Sequence, residues 1–234
     1  MTAQNIKVKG RPFAEYTAVM ASHKKIDLYK SFWIFLIGSV VGFTVETIWC
    51  LITTGGIQSR SSMVIGPFTA IYGIGALALY LGVCFVNKYS KHNKILYIFI
   101  YGTVASTVVE YICSLLQQAL FGSVSWDYSN VPLNIRGRAC LLYSAFWGLL
   151  AILWYIAIQP PLEKFISKIP AQIYKPLTLA LATFIIIDSI VSVVALSRWG
   201  MRIDGIQSTN IVMTAVDKLF PNEFMAKIYP NMVF

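Results

Sequence analysis

Ionisable side chains are scarce in this chain: only 12% of its 234 residues are charged, where soluble domains usually run to about a quarter. Histidine occurs twice, as His23 and His92, both in segments read below as cytoplasmic and away from the glutamates of the apolar runs. The four cysteines, Cys50, Cys84, Cys113 and Cys140, show no paired spacing and no C-x-x-C. That argues against a zinc site or a disulfide framework and leaves them as small core residues. There is no Walker A phosphate loop, so the chain is not the ATPase of a transporter. There is no G-x-S-x-G elbow, and no nucleophile accompanies the glutamates, so no catalytic residue is assigned. No metal or cofactor is expected. Residues 1–31 lack an early apolar core and read as a cytoplasmic tail, not a signal peptide.

What is abundant is apolar. Hydrophobic residues make up 57% of the chain and gather in runs at 32–53, 64–86, 95–121, 139–158 and 177–197. Each run holds about 20 residues or more, enough to cross ~30 Å of hydrocarbon as a helix. The expected fold is an all-α integral membrane protein with five transmembrane helices across 32–197, in a bacterial cytoplasmic membrane. A short helical extracytoplasmic segment, 198–234, should follow.

The net charge of +9 is a topology signal, not a nucleic-acid one. Eleven of thirteen lysines precede the first run or lie between the second and third or the fourth and fifth. Positive residues favour the cytoplasmic side, which puts the N-terminus inside and the C-terminus outside. Five of six arginines fall on the opposite side, a bias that this rule does not explain.

Two stretches repeat. "FLIGSVVGFTVETIW" (35–49) and "FIYGTVASTVVEYIC" (99–113) align at a constant offset, matching Phe35 with Phe99, Gly38 with Gly102 and Glu46 with Glu110. "GPFTAIY" (66–72) then aligns with "GRACLLY" (137–143), putting Tyr72 over Tyr143. Residues 32–86 and 95–158 therefore read as tandem parallel two-helix repeats, an arrangement known in transporters. Gly38, Gly42 and Glu46 share one helix face, as do Gly102, Ser106 and Glu110. Small residues on such faces let helices approach closely in lipid, so the first and third helices are expected to meet there.

A carboxylate near mid-bilayer costs roughly 2.5 kcal/mol or more. Glu46 and Glu110 should therefore turn inward, toward a polar site in the outer half of the membrane. The loops beyond them supply Arg60, Trp126, Asp127, Tyr128, Asn134, Arg136 and Arg138, and the fifth helix supplies Asp188. A guanidinium is a planar, permanently charged fork for oxyanions, so these ten residues form a candidate site for an anionic ligand. Glu–Arg pairs that only lock the helices together remain the alternative.

The stretches "ExxW" (46–49), "GPFTAIYGIG" (66–75), "VVEYICS" (108–114), "WDYSNVPLNIRGRACLLYSAFWG" (126–148) and "DKLFPNEFMAKIYPNMVF" (217–234) resemble a bacterial family labelled ABC-transporter permease, type IV or CmpB-like. The resemblance covers most of residues 26–234. It implies a multi-pass membrane protein and a transport component that works with a separate ATPase subunit. It carries no residue roles. Alternatives are an outer-leaflet enzyme acting on an anionic lipid or cell-wall precursor, and a structural or regulatory membrane partner.

Overall fold

The computed structural model describes residues 7–8, 11–12, 26–122, 124 and 126–232. Most of the expected tail, 1–31, lies outside them. Two short strands there, β1 (Lys7–Val8) and β2 (Arg11–Pro12), pair antiparallel. Among the described residues, five helices are long and apolar enough to cross a membrane: α1 (Leu28–Thr54), α2 (Ala70–Tyr89), α3 (Lys94–Phe121), α4 (Leu141–Ile166) and α5 (Ala171–Ile203). A hairpin of β3 (Asn134–Ile135) and β4 (Ala139–Cys140) precedes α4, and α6 (Ile211–Leu219) and α7 (Asn222–Ile228) follow α5.

The helix ends follow local chemistry. The Asp27 carboxylate accepts from the Tyr29 and Lys30 amides at 2.9 and 3.3 Å, which caps α1. Gly55 (φ 71°) and Gly122 (φ 66°) end α1 and α3 in the left-handed conformation that glycine adopts without steric cost. Residues 64–69, expected to be helical, form loop instead. The Ser61 hydroxyl lies 2.7 Å from the Met63 carbonyl and 3.0 Å from that of Gly66, with its one proton for either, and its oxygen accepts from the Met63 amide at 3.1 Å, so backbone groups find partners without a helix. Conversely, α4 continues past residue 158 through Pro160 and Pro161. A widened π turn at Trp154–Ile158 comes just before the prolines, whose missing N–H groups leave carbonyls unpaired.

The glycine faces join different helices from those expected. A Cβ at Gly38 would lie 2.6 Å from Ala76 Cβ, and one at Gly42 would overlap the Tyr72 side chain. Gly102 meets Ala151 and Gly148 in the same way. So α1 packs on α2 and α3 on α4, and α2 also lies against α3. The reason is complementarity: α2 and α4 each carry a glycine and an alanine opposite the α1 and α3 glycines, and short loops already make these helices antiparallel neighbours. The matching residue on α4 lies about one turn beyond the position that the sequence alignment gave it, with Trp147 rather than Tyr143 answering to Tyr72.

Helix α5 packs across α1, where the Trp33 indole donates to Thr178 Oγ1 at 2.8 Å. One core, including Ile34, Tyr80, Trp154 and Ile185, ties the five helices together. A second gathers Val64, Leu196, Trp199, Met225 and Tyr229 at the end of the bundle that carries loops 55–69 and 122–140. The C-terminal segment thus folds back onto α5 and the first loop.

Candidate functional site

Glu46 and Glu110 lie toward the loop end of α1 and α3, and each takes a hydrogen bond from the neighbouring helix. Gly42 has no side chain, so the Tyr72 ring lies over it, and the Tyr72 hydroxyl donates to Glu46 Oε1. On the other pair, the Trp147 indole donates to Glu110 Oε1 at 3.0 Å. Glu46 is half-buried, while Glu110 is only 7% exposed. The second oxygen of Glu110 has no partner among the described residues.

Both carboxylates line one cavity of about 510 Å³. Arg60 enters it from the first loop, Trp126 and Tyr128 from the second, and Tyr229–Met232 from the C-terminal segment. The Arg60 carbonyl is held by Thr69 Oγ1 at 2.7 Å, and its guanidinium Nε is buried without a partner among the described residues. The Tyr128 ring stacks on Tyr143 with centroids 4.9 Å apart. Burial, and then the charge of Glu110, push the Tyr128 hydroxyl above its ordinary pKa. The Trp126 indole donates to the Arg138 carbonyl at 3.0 Å, fixing the ring at the rim.

Residues 33–193 match the model of a family described as "Putative ABC-transporter type IV". The chain belongs to this family. No curated protein and no solved structure matches it. The matched family segment contains both glutamates, both donors and both loops, whereas the wall formed by Tyr229–Met232 lies beyond it.

Of the ten residues proposed from sequence, the structure brings five together in the cavity of this family member: Glu46, Arg60, Glu110, Trp126 and Tyr128. The other five serve elsewhere. Asp127 accepts from the amide and hydroxyl of Ser129, which hold its carboxyl below the usual range. Asn134 donates to the Val131 carbonyl and accepts from the Gly137 amide, both at 2.9 Å, closing the hairpin on itself. Arg136 is exposed at the tip, where it and Gly137 take positive φ in a tight turn closed by Arg138 N–H to Ile135 O at 3.0 Å. Arg138 braces the hairpin on α3 through Ser114 Oγ at 3.0 Å and through Gln118. Asp188, 1% exposed, accepts from the Ile65 amide at 3.1 Å, while Ser192 accepts from Val64 at 2.8 Å. Together they fasten the first loop to α5.

No sequence pattern marks the two donors, Tyr72 and Trp147, or the wall residue Tyr229, as members of the site. Nor does one mark Asp217 itself, which grips the returning C-terminal segment. Arg198 holds Asp217 through two bonds of 2.9 and 2.8 Å, and Arg202 adds a third. Arg198, then Arg202, keep the Asp217 carboxyl below its usual range. Tyr229 stacks on Trp199, bringing residues 229–232 over the cavity. The only signal for Asp217 was the pair of arginines near the end of α5. Among the described residues, no group of three His, Cys, Asp or Glu side chains is placed to hold a metal ion.

Proposed function

We propose that this chain is the membrane-embedded component of a transporter, with its solute site in the cavity between Glu46 and Glu110. The observation that carries this reading is that two carboxylates from separate helix pairs face one aromatic-walled cavity of about 510 Å³. Intramembrane carboxylates are costly, and where they line a cavity they mark solute or ion paths. The lysine bias supports an orientation with the N-terminus in the cytoplasm and the cavity in the outer half of the membrane. With no phosphate loop in the chain, the energy of an ABC-type cycle comes from a separate ATPase subunit. Among the described residues, an anionic solute or headgroup would meet Arg60 there, because Arg136 and Arg138 belong to the hairpin.

Native mass spectrometry of the gently extracted protein tests the reading. The expected result is a retained small molecule, lost in Glu46→Gln, together with a nucleotide-binding subunit. The bonds from Tyr72 and Trp147 favour one competing reading, in which the glutamates only brace their helix pairs. That reading predicts a drop in thermal stability in Glu46→Gln with no ligand retained by either protein, an outcome that would overturn the transport site.

A further inference from the structure

We infer that the cavity takes an organic ammonium ion, a protonated amine carried on an apolar body. The inference rests on the cavity being the solute site proposed above and names the class of solute.

Charge comes first. Among the described residues, the charged side chains lining the cavity are Glu46, Glu110 and Arg60. Acidic groups outnumber basic ones in that lining, so a cationic ligand meets more groups of opposite sign than an anionic one does. An anion would leave two carboxylates facing it with a single guanidinium to hold it. Buried sites penalise a charge that lacks a partner of opposite sign, so this lining disfavours an anion more than a cation.

Hydrogen bonding comes second. Glu110 is 7% exposed, its Oε1 is occupied by the Trp147 indole, and its Oε2 has no partner among the described residues. A buried acceptor left empty is costly, because it has given up water without gaining a partner. An ammonium N–H fills that place with a charge-assisted bond, which an anion cannot do.

The walls come third. Beside the carboxylates stand Tyr72, Trp126, Tyr128, Trp147 and Tyr229. Aromatic faces attract cations and also pack apolar bodies. Small metal ions suit this lining poorly, because hard cations need six or more oxygen ligands.

The test uses three probes of similar shape: 2-phenylethylammonium, uncharged propylbenzene and anionic phenylacetate. Each is titrated against the full-length protein in detergent, with thermal shift and calorimetry as readouts. The ammonium probe should stabilise the wild type, and the other two should not. Glu110→Gln, which keeps size and can keep the Trp147 bond, should weaken ammonium binding about tenfold or more. Glu46→Gln gives a second reading should Glu110→Gln fold poorly. Stabilisation by phenylacetate, lost in Arg60→Gln, would overturn the ammonium class and leave the cavity a solute site. No stabilisation by any probe would overturn the ammonium class, while the solute site itself stands or falls by the ligand retained in native mass spectrometry. Titration in phosphatidylethanolamine nanodiscs against phosphatidylcholine ones separates two sources of the group. Competition by the ethanolamine lipid marks a headgroup ligand and unchanged affinity marks a free amine, and either supports an ammonium ligand.

Discussion

Glu46 and Glu110 sit one turn beyond Gly42 and Ser106 on α1 and α3, yet the two carboxylates live in different surroundings. On α1 the bare Gly42 lets the Tyr72 ring lie flat and bring its hydroxyl to a half-buried carboxylate. On α3 the Ser106 hydroxyl turns back to the Gly102 carbonyl at 2.7 Å, and an indole reaches a nearly sealed carboxylate. The loops differ as well. The first is fastened to α5 by Asp188 and Ser192, whereas the second is a self-closed hairpin propped on α3 by Arg138. The glycine contacts, by contrast, are alike: Gly38 with Gly73 and Ala76, Gly102 with Gly148 and Ala151. A duplication of one helix pair would leave this pattern of a shared seam with diverged surroundings. The seam is set by backbone approach, which only small residues permit, while the carboxylate partners and loops are free to change.

The largest expected effect breaks the shared seam. Gly38→Leu and Gly102→Leu should each cost about 3 kcal/mol or more, because the new side chain meets Ala76 or Ala151 with no room to turn aside. Unfolding temperatures in detergent check this, and the two variants should fall together. A large drop for one and none for the other would mean that the seams are not equivalent.

The next effect sharpens the difference between the carboxylates. Trp147→Phe leaves Glu110 buried with no donor at either oxygen among the described residues, at a cost of about 2 kcal/mol. Tyr72→Phe removes one donor from a carboxylate that water can still reach, so about 1 kcal/mol or less is expected. Chemical denaturation of the two variants side by side measures the gap. Equal losses would show that the exposure of Glu46 is not what separates them.

How much of this was legible beforehand depends on the kind of signal. The five spans were plain, because lipid requires long apolar runs and the chain has five. Glu46 and Glu110 stood out because a charge in such a run is conspicuous, and their common offset paired them. Their donors did not stand out. In a membrane both lipid-facing and protein-facing surfaces are apolar, so periodicity does not reveal which side of α4 meets α3, and Trp147 read like any aromatic residue. Arg136 and Arg138 were drawn into the site by charge alone. What sends them elsewhere is a tight turn with positive φ at Arg136 and Gly137, for which only the glycine is a sequence signal. The return of the C-terminal segment rests on Asp217 finding Arg198 across 19 positions of chain, a pairing that local patterns do not encode.

The smallest effect tests the second loop against the first. Arg138→Lys keeps the charge but not the fork that spans Ser114 and Gln118 on α3. Lysine can bond one of them at a time, so the hairpin should lose about 0.5–1 kcal/mol of anchoring. Arg138 does not line the cavity, so a ligand retained there should bind this variant as it binds the wild type once the stability difference is subtracted. Arg60→Lys is the matched control. Arg60 does line the cavity, and its loop is held through its carbonyl by Thr69 and through the Val64 and Ile65 amides by α5, none of which needs the guanidinium. That change should leave stability nearly untouched and alter ligand binding instead. Thermal shift and calorimetry on the two variants read both quantities. If Arg138→Lys weakened ligand binding while its unfolding temperature held, the hairpin would have to move into the cavity when the ligand arrives, and the two loops would share one role.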